Sequence, residues 1–409
     1  MNPRLTREYQ DLLGPASVLS QMEDLLLYEF DGSIEKGRPD LVVFPTSTEQ
    51  VSRIVKLAAK YNVPVVGRGA GTGLSGGALA RTGGVMIVFA RMNRILELDV
   101  ENQRAVVQPG VVNFELTRAA EPHGLYFAPD PSSGRACTIG GNVAENAGGP
   151  HTLAYGVTTN HVTGLELVLP DGEIVRVGSK HSDTPGYDLT GLFVGSEGTL
   201  ALVTEITVKL TRKPEAVKTL LAIFDTVDAA AETVVDITGR AITPSACEML
   251  DGWTLRAVED YIHAGFPMDS AAVLLIEVEG LTEAVTAQAA AITEVCNEHH
   301  AREVRVARND AERELLWKGR KNAFGALGRL APSNYVLDGV IHGRSCRKLF
   351  DGFGRSASNS DFRSATFFMR ATVTCTPSCS TILATRRNSN GPATPRPLSF
   401  VIAWKSAAR

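Results

Sequence analysis

No apolar run in this sequence is longer than a β-strand. Val85 to Ala90 and Ala271 to Ile276 are the longest, far short of the roughly 20 residues that cross a bilayer. The start, Met-Asn-Pro-Arg-Leu-Thr-Arg-Glu, has no apolar secretion core. The expectation is a cytoplasmic protein with no transmembrane segment, free or held peripherally at the inner face of the membrane. A disulfide framework is missing too: Cys137, Cys247, Cys296, Cys346, Cys375 and Cys379 show no framework spacing and read as free thiols. Charge of one sign is also lacking, since the formal net charge is −4, which gives no reason to expect nucleic acid as a partner. With 44% hydrophobic and 21% charged residues, the composition excludes a disordered chain, a fibrous repeat and a coiled coil. A length of 409 residues is enough for two or three domains, each with its own core.

Glycine is what stands out. The 38 glycines cluster between Gly67 and Gly198. Around them the chain alternates short strands and helices. Thr46-Ser47-Thr48-Glu49-Gln50, followed by Val51, Ile54, Val55 and Ala58, is a capping box that opens an amphipathic helix. Tyr61 to Val66 and Gly84 to Phe89 read as strands, and Ile95 to Val100 with Ala105 to Val107 as a hairpin. A second hairpin joins Leu165–Leu169 to Glu173–Val177 through the turn Pro170-Asp171-Gly172. After Arg212-Lys213-Pro214 the glycines thin out. Strand-like Thr219–Phe224 leads to helix-like Val227–Thr238, and Ala272–Val278 with Glu283–His299 repeats that order. The pattern predicts an α+β second domain with a small antiparallel sheet covered by helices.

The first glycine loop, Gly67 to Gly77, leaves a strand directly. Glycines let successive N–H groups turn inward as a nest for phosphate oxygens, and Arg68, Thr72 and Ser75 add charge and hydroxyls. Gly71, Gly73 and Gly76 match the dinucleotide-fold spacing, but that fingerprint needs a helix next. Gly83-Gly84 follows too soon to leave room for one. An NAD-dependent Rossmann enzyme is therefore a distant alternative. Two more segments complete the set: Pro129–Ser133 through Thr138–Asn142 and Glu145–Gly149 to Tyr155-Gly156, and then Gly195–Thr199. Three separate loops rich in N–H and hydroxyl groups suit a large extended ligand better than a single phosphate.

This combination resembles the FAD-linked oxidase family of the vanillyl-alcohol-oxidase type, with its PCMH-type FAD-binding domain. Within that family it is most like the glycolate oxidase FAD subunit and D-lactate dehydrogenase branch. Phe44 to Val51, Gly67 to Gly77, Pro129 to Ser133, Thr138 to Asn142, Asn146 to Gly149 and Gly195 to Thr199 carry the resemblance. The implied fold is α+β: an FAD-binding domain of two α/β subdomains, then an incomplete α+β substrate domain. The implied boundaries are a helical lead-in at 1–34, the FAD domain at 35–213, a partial oxidase C-terminal domain at 214–341 and a tail at 342–409. The resemblance implies that Gly67, Arg68, Gly69, Ala70, Gly71, Thr72, Gly73, Leu74, Ser75 and Gly76 wrap the FAD pyrophosphate. Implied contacts elsewhere on the cofactor are Pro45, Pro129, Asp130, Pro131, Ser132, Thr138, Gly140, Gly141, Asn142, Asn146, Gly148, Gly149, Tyr155, Gly156, Glu197, Gly198 and Ile206. Family members that tether flavin through the first loop have a histidine there; this loop has none, so the FAD is expected to be non-covalent.

The resemblance continues through Trp317-Lys318-Gly319-Arg320 and Asn334 to Ile341. It implies that Arg320 clamps the substrate carboxylate, a bidentate task suited to arginine; on the residue alone, a surface arginine is an equal alternative. The family then has a Pro-Arg segment, a His-Ala-Gly-Asp-Gly-Asn-Leu-His stretch whose histidines bind a divalent metal, and a Gly-Glu-His-Gly stretch. None occurs here, so the family's metal ligands are absent. The last 68 residues instead hold nine Arg, two Lys, two Asp and no Glu, a balance of +9 that leaves −13 on the rest. Codons built from the third base of one residue and the first two of the next allow Ile341–Lys348, Ala365–Pro377 and Ile402–Arg409 to encode the missing segments, in order and in one frame. The expectation is a frame-shifted, disordered tail from residue 342; a genuine basic segment binding an acidic partner is the alternative. Cys375 and Cys379 are taken as incidental, because a lone pair at metal spacing is weak.

The implied function is FAD-dependent oxidation of a small 2-hydroxy acid, such as glycolate or D-lactate, to the 2-oxo acid, with companion oxidase subunits. The alternative is an inactive FAD-binding module or gene remnant. His299, His300 and His342 are candidate substitutes for the missing base, each more in keeping with a surface or loop position. His123 and His161 are expected to be structural. His151 lies beside Gly148-Gly149, where it could approach the flavin.

Overall fold

A computed structural model describes residues 3–181 and 186–329, together with the backbone of the strands Ser333–Val340, Phe362–Arg370 and Ser378–Thr385. The first sheet has the order β1-β2-β4-β3, with β1 at Val18–Leu19, β2 at Leu41–Val43, β3 at Val65–Arg68 and β4 at Val85–Val88. Both β2 and β3 run parallel to β4, which requires a crossover. The helix Thr48–Lys60 supplies it. Ser47 caps that helix by accepting from the Gln50 N–H, while Gln50 Oε1 reaches back to the Thr46 N–H. Val51, Ile54, Val55 and Ala58 face the sheet and are buried. The reciprocal cap thus fixes where the chain turns back toward β3, whose last residue, Arg68, opens the glycine loop.

The second sheet follows through β5 (Ile95–Asp99), β6 (Arg104–Val107), β7 (Leu125–Tyr126), β8 (Val162–Val168), β9 (Ile174–Gly178), β10 (Leu202–Lys209) and β11 (Thr211–Arg212). Five of these form an antiparallel sheet in the order β5-β6-β10-β8-β9, while β7 and β11 pair separately. Both predicted hairpins are present. The strand β10 alternates buried and half-buried positions along all eight residues, as a sheet with one packed face requires. Two α/β subdomains therefore precede residue 213 (as the sequence predicts), and the cleft between them receives all three glycine-rich segments.

The second domain is built on β12 (Ala216–Phe224), β13 (Ala246–Asp251), β14 (Ala272–Gly280) and β15 (Glu303–Val306), in the antiparallel order β13-β14-β12-β15. Nine consecutive residue pairs join β12 to β14. The helices Val227–Gly239 and Thr282–Glu298 cover one face, and Gly252–Ile262, Asp310–Lys321 and Ala323–Leu327 the other. Covering both faces explains why β12 and β14 are almost continuously apolar. The fully buried polar side chains of the sheet are Thr219 on β12, Glu248 on β13 and Glu277 on β14, none more than 2% exposed. A carboxylate in such a place needs a partner, and each one has partners described below.

Beyond residue 332, β16 (Ser333–Val340), β17 (Phe362–Arg370) and β18 (Ser378–Thr385) form a sheet in the order β16-β18-β17. Two of these strands fall within the stretch expected to be a disordered tail. The rest of that stretch lies outside the described residues, as do His342, Cys346 and Cys375 and the ends of the proposed out-of-frame segments. Among the described residues no helix is long and apolar enough to cross a membrane.

Candidate active site

The three glycine-rich segments meet around a cavity of about 640 Å³. Two of its lining glycines hold backbone conformations that side chains disfavour, Gly71 at φ +70° and Gly198 at +73°, and Gly76 and Gly195, both at +83°, do the same in the flanking turns. The first loop presses on the second so closely that a Cβ on Gly69 would stand 2.5 Å from Thr138 Oγ1. Thr138 also caps the helix Ile139–Glu145, accepting from the Gly141 N–H at 3.2 Å. The third segment is pinned to the same helix by Gly195 N–H to the Val143 carbonyl (2.8 Å) and Glu197 N–H to the Ala144 carbonyl (2.9 Å). Backbone N–H groups from three directions are thereby brought to one cleft.

Within the lining, Arg68 is 6% exposed and its Nη1 donates to the Ala78 carbonyl at 3.3 Å. Asn142 is 2% exposed, and its Nδ2 finds no acceptor oxygen in the protein. A buried amide donor left this way costs on the order of 1–3 kcal/mol unless a ligand accepts from it. A cleft of this size, with an orphaned donor and a glycine nest, fits a dinucleotide with a polar ring edge. Phe89, Phe193, Ala201 and Leu202 give it apolar walls. Cys137, the thiol in the lining, is 5% exposed, and burial pushes its pKa up. It is therefore a neutral thiol and not a nucleophile.

The lining includes most residues that the resemblance implies: Gly67 to Ser75, Pro131, Thr138, Gly140, Gly141, Asn142, Asn146, Gly148, Glu197 and Gly198. Nine others lie outside it. Ile206 is fully buried in the core of the second sheet, opposite Val107. Pro45 belongs to the turn before the first crossover helix, and Gly76 lies at the far end of the first loop. Pro129 gives its carbonyl to Asn113 Nδ2 at 2.9 Å. Ser132 sits in the same turn. Gly149 packs on Asp130, where a Cβ would lie 2.5 Å from the Asp130 carbonyl, and Gly156 packs on Asn160. Phe193 and Leu202 line the cavity from outside the glycine-rich segments, and Glu145 lines it from within the second one. Glu145 was legible from its place between two implied contacts; the other two carry no local signal.

Asp130 and Tyr155 turn instead toward the second domain. His151 bridges the domains: Nδ1 is 2.9 Å from Asp130 Oδ2, and Nε2 is 2.9 Å from Glu277 Oε1 on β14. The other oxygen of Glu277 accepts from Trp317 Nε1 at 2.6 Å and from the Thr219 hydroxyl. Lys321 Nζ adds a second link, 2.9 Å from Asp130 Oδ2. Burial works against charge on His151, but Asp130 and Glu277 outweigh it and push it up to about 10. Burial also opposes charge on Asp130, yet His151 and Lys321 hold its carboxyl well below the usual range.

Arg320 is not a surface residue. It is 1% exposed, and its Nε and Nη2 donate to Glu248 Oε2 at 3.2 and 2.9 Å. His299 pairs with Asp236 at 3.0 Å on the outer helices of the second domain, remote in the chain from the cleft. His161 is buried, within 2.9 Å of the Tyr155 carbonyl, and burial lowers its pKa.

Residues 39–178 match the family described as FAD binding domain, and residues 213–371 match FAD linked oxidases, C-terminal domain. The second match runs past Ile341. The glycolate oxidase subunit GlcD of Escherichia coli K12 is 46% identical over 352 residues, covering 86% of this chain and 70% of that protein. The subunit of the same name from Bacillus subtilis strain 168 is 42% identical over 370 residues, covering 90% and 79%. A mitochondrial D-lactate dehydrogenase [cytochrome] of Arabidopsis thaliana is 34% identical over 347 residues, covering 81% and 60%. Among solved structures, alkyldihydroxyacetonephosphate synthase superposes with a TM-score of 0.79 at 22% identity, covering 94% of this chain and 81% of that one. p-Cresol methylhydroxylase does so with 0.78 at 17%, covering 93% and 82%; both speak for the fold alone. The two matched domains in this order, the first of them built around a glycine-lined cleft, place the chain in the FAD-linked oxidase family.

Proposed function

We propose that the protein oxidises a small 2-hydroxy acid, of the glycolate or D-lactate kind, to the 2-oxo acid with FAD as cofactor. The observation that carries this reading is the glycine-lined cavity with its unpaired Asn142 amide, set beside relatives named for glycolate and D-lactate. FAD, when bound, supplies the hydride acceptor. The chain supplies placement. Gly67 to Ser75 turn their N–H groups toward the pyrophosphate, Arg68 adds positive charge behind them, and Asn142 donates from the buried end. Attachment is non-covalent, which the neutral Cys137 and the histidine-free first loop support. Arg320 holds the substrate carboxylate, and Glu248 fixes the plane of its guanidinium. Companion subunits fit the word subunit in the relatives' names, and the site of action is cytoplasmic, free or peripheral to the membrane.

The test is anaerobic addition of glycolate or D-lactate to the FAD-loaded chain, followed by the visible flavin absorbance. Bleaching is expected. A protein that binds FAD tightly but stays yellow with every 2-hydroxy acid overturns the reading. It would instead support the second one, an FAD-binding module without turnover. That alternative has its own observation, the absence of His-Ala-Gly-Asp-Gly-Asn-Leu-His from the sequence. The frame-shift proposal for residues 342–409 accounts for the same absence. Sequencing the coding DNA from codon 341 onward tests it: a single-base restoration must open the family frame.

A further inference from the structure

At the seam between the domains, the geometry points to a divalent-cation site formed by His151 Nε2, Glu277 and Glu279, whose ligand atoms all lie within 4.8 Å of one another. The hydroxy-acid reading is not needed for it, and none of its ligands belongs to the missing histidine stretch.

The first support is the way each ligand is held from behind. His151 Nδ1 faces Asp130 Oδ2 at 2.9 Å, the carboxylate–histidine arrangement that leaves Nε2 for a metal. Glu277 has its Oε2 engaged by Trp317 and Thr219, which leaves Oε1 toward the imidazole. Glu277 and Glu279 are two apart on β14, so they share a face of the strand.

The second, independent support is an orphan. Glu279 takes a hydrogen bond from the Tyr155 hydroxyl, yet its Oε1 is buried with no partner. A buried carboxylate oxygen facing nothing is costly, and a cation is what such an oxygen accepts.

The dimensions agree. His151 Nε2 and Glu277 Oε1 are 2.9 Å apart. Two ligands about 2.1 Å from one ion lie about 3 Å apart at the right angle of an octahedral site, and about 3.4 Å apart in a tetrahedral one. One imidazole and two carboxylates match a first-row divalent ion such as Zn²⁺ or Mn²⁺ in donor type and neutralise its charge. Binding replaces the proton shared between Nε2 and Oε1 by the ion and releases that proton to solvent; nothing is oxidised. Since His151 belongs to the FAD domain and both glutamates to the second domain, the ion would clamp the two together.

The experiment uses the full chain with FAD, stripped with a chelator and dialysed against ZnCl₂ or MnCl₂, with bound metal measured by elemental analysis. About one equivalent per chain is expected, with a rise in melting temperature. Glu279→Gln keeps the shape and the Tyr155 contact, so it should melt like the parent without metal but bind the ion about tenfold or more weakly. His151→Gln should lose binding altogether; if it fails to fold, Glu279→Gln carries the test. A parent chain that retains no metal, or a Glu279→Gln variant that binds as tightly as the parent, overturns the proposal.

Discussion

Arg320 and Glu248 lie against each other inside the second domain, Nη2 2.9 Å from Oε2, with 1% of each side chain exposed. Removing either charge takes from the other a buried, hydrogen-bonded partner. Glu248→Ala should therefore cost about 3–5 kcal/mol of stability, read from urea denaturation of the full chain. Arg320→Lys keeps the charge but loses the planar fork. It should raise KM for the hydroxy acid more than it lowers kcat, because a carboxylate clamp acts on bound substrate throughout the reaction.

Two glycines give a matched pair of substitutions. A Cβ on Gly140 would stand 2.5 Å from Pro109 Cβ and 2.8 Å from its carbonyl oxygen, and that backbone has nowhere to go. Gly140→Ala should displace the helix carrying Asn142 and weaken FAD binding about tenfold or more, a loss of about 1.4 kcal/mol. At Gly325, inside a helix, nothing lies within 4 Å of the added methyl. Gly325→Ala should leave cofactor binding intact and gain up to about 1 kcal/mol from helix propensity. Flavin fluorescence titration of both proteins decides the matter.

Glu145 predicts a pH dependence. Burial raises its carboxyl, with repulsion from Glu197 and Asp31 in the same sense and the Ser75 hydrogen bond opposing. A carboxyl raised by folding holds its proton longer in the native state. Stability present at low pH is therefore lost as pH rises through the interval between its unfolded and folded values. The FAD pyrophosphate adds negative charge to the same cavity and raises this carboxyl further, so cofactor affinity should fall as pH climbs through the interval between its values in the free folded protein and in the complex. Glu145→Gln should bind FAD more tightly above it and flatten the profile; an unchanged profile in this variant sinks the assignment.

Removing the cofactor should be visible as lost stability. The glycine loops make up much of the wall of the cleft between the subdomains, and Asn142 Nδ2 is unsatisfied without a ligand. With FAD at about a hundred times its Kd, the gain is about 2.7 kcal/mol, measured as a rise in melting temperature on titration.

Most of the fold was legible because it is local. The capping box at Thr46–Gln50, the turn at Pro170–Gly172 and the apolar runs of β12 and β14 each state their structure within a few residues. The glycine loops were legible for a related reason: a nest is made of backbone, and glycine spacing records backbone conformation directly. What stayed hidden depends on chain segments that meet only after folding. Trp317 reaches Glu277 across 40 residues and His151 reaches it across 126, and no spacing rule encodes either distance. Ile206 shows how pleat decides placement: it lies on the buried face of a recognisable strand and packs into the core outside the cavity lining.

Asp130 has one more consequence. Its neighbour Pro131 forms part of the cavity wall, while its own carboxylate grips His151 and Lys321. A single tight bend is thus shared between the cavity wall and the contact between the domains. A change in that bend therefore touches the cavity wall and the contact with the carboxy-terminal half together.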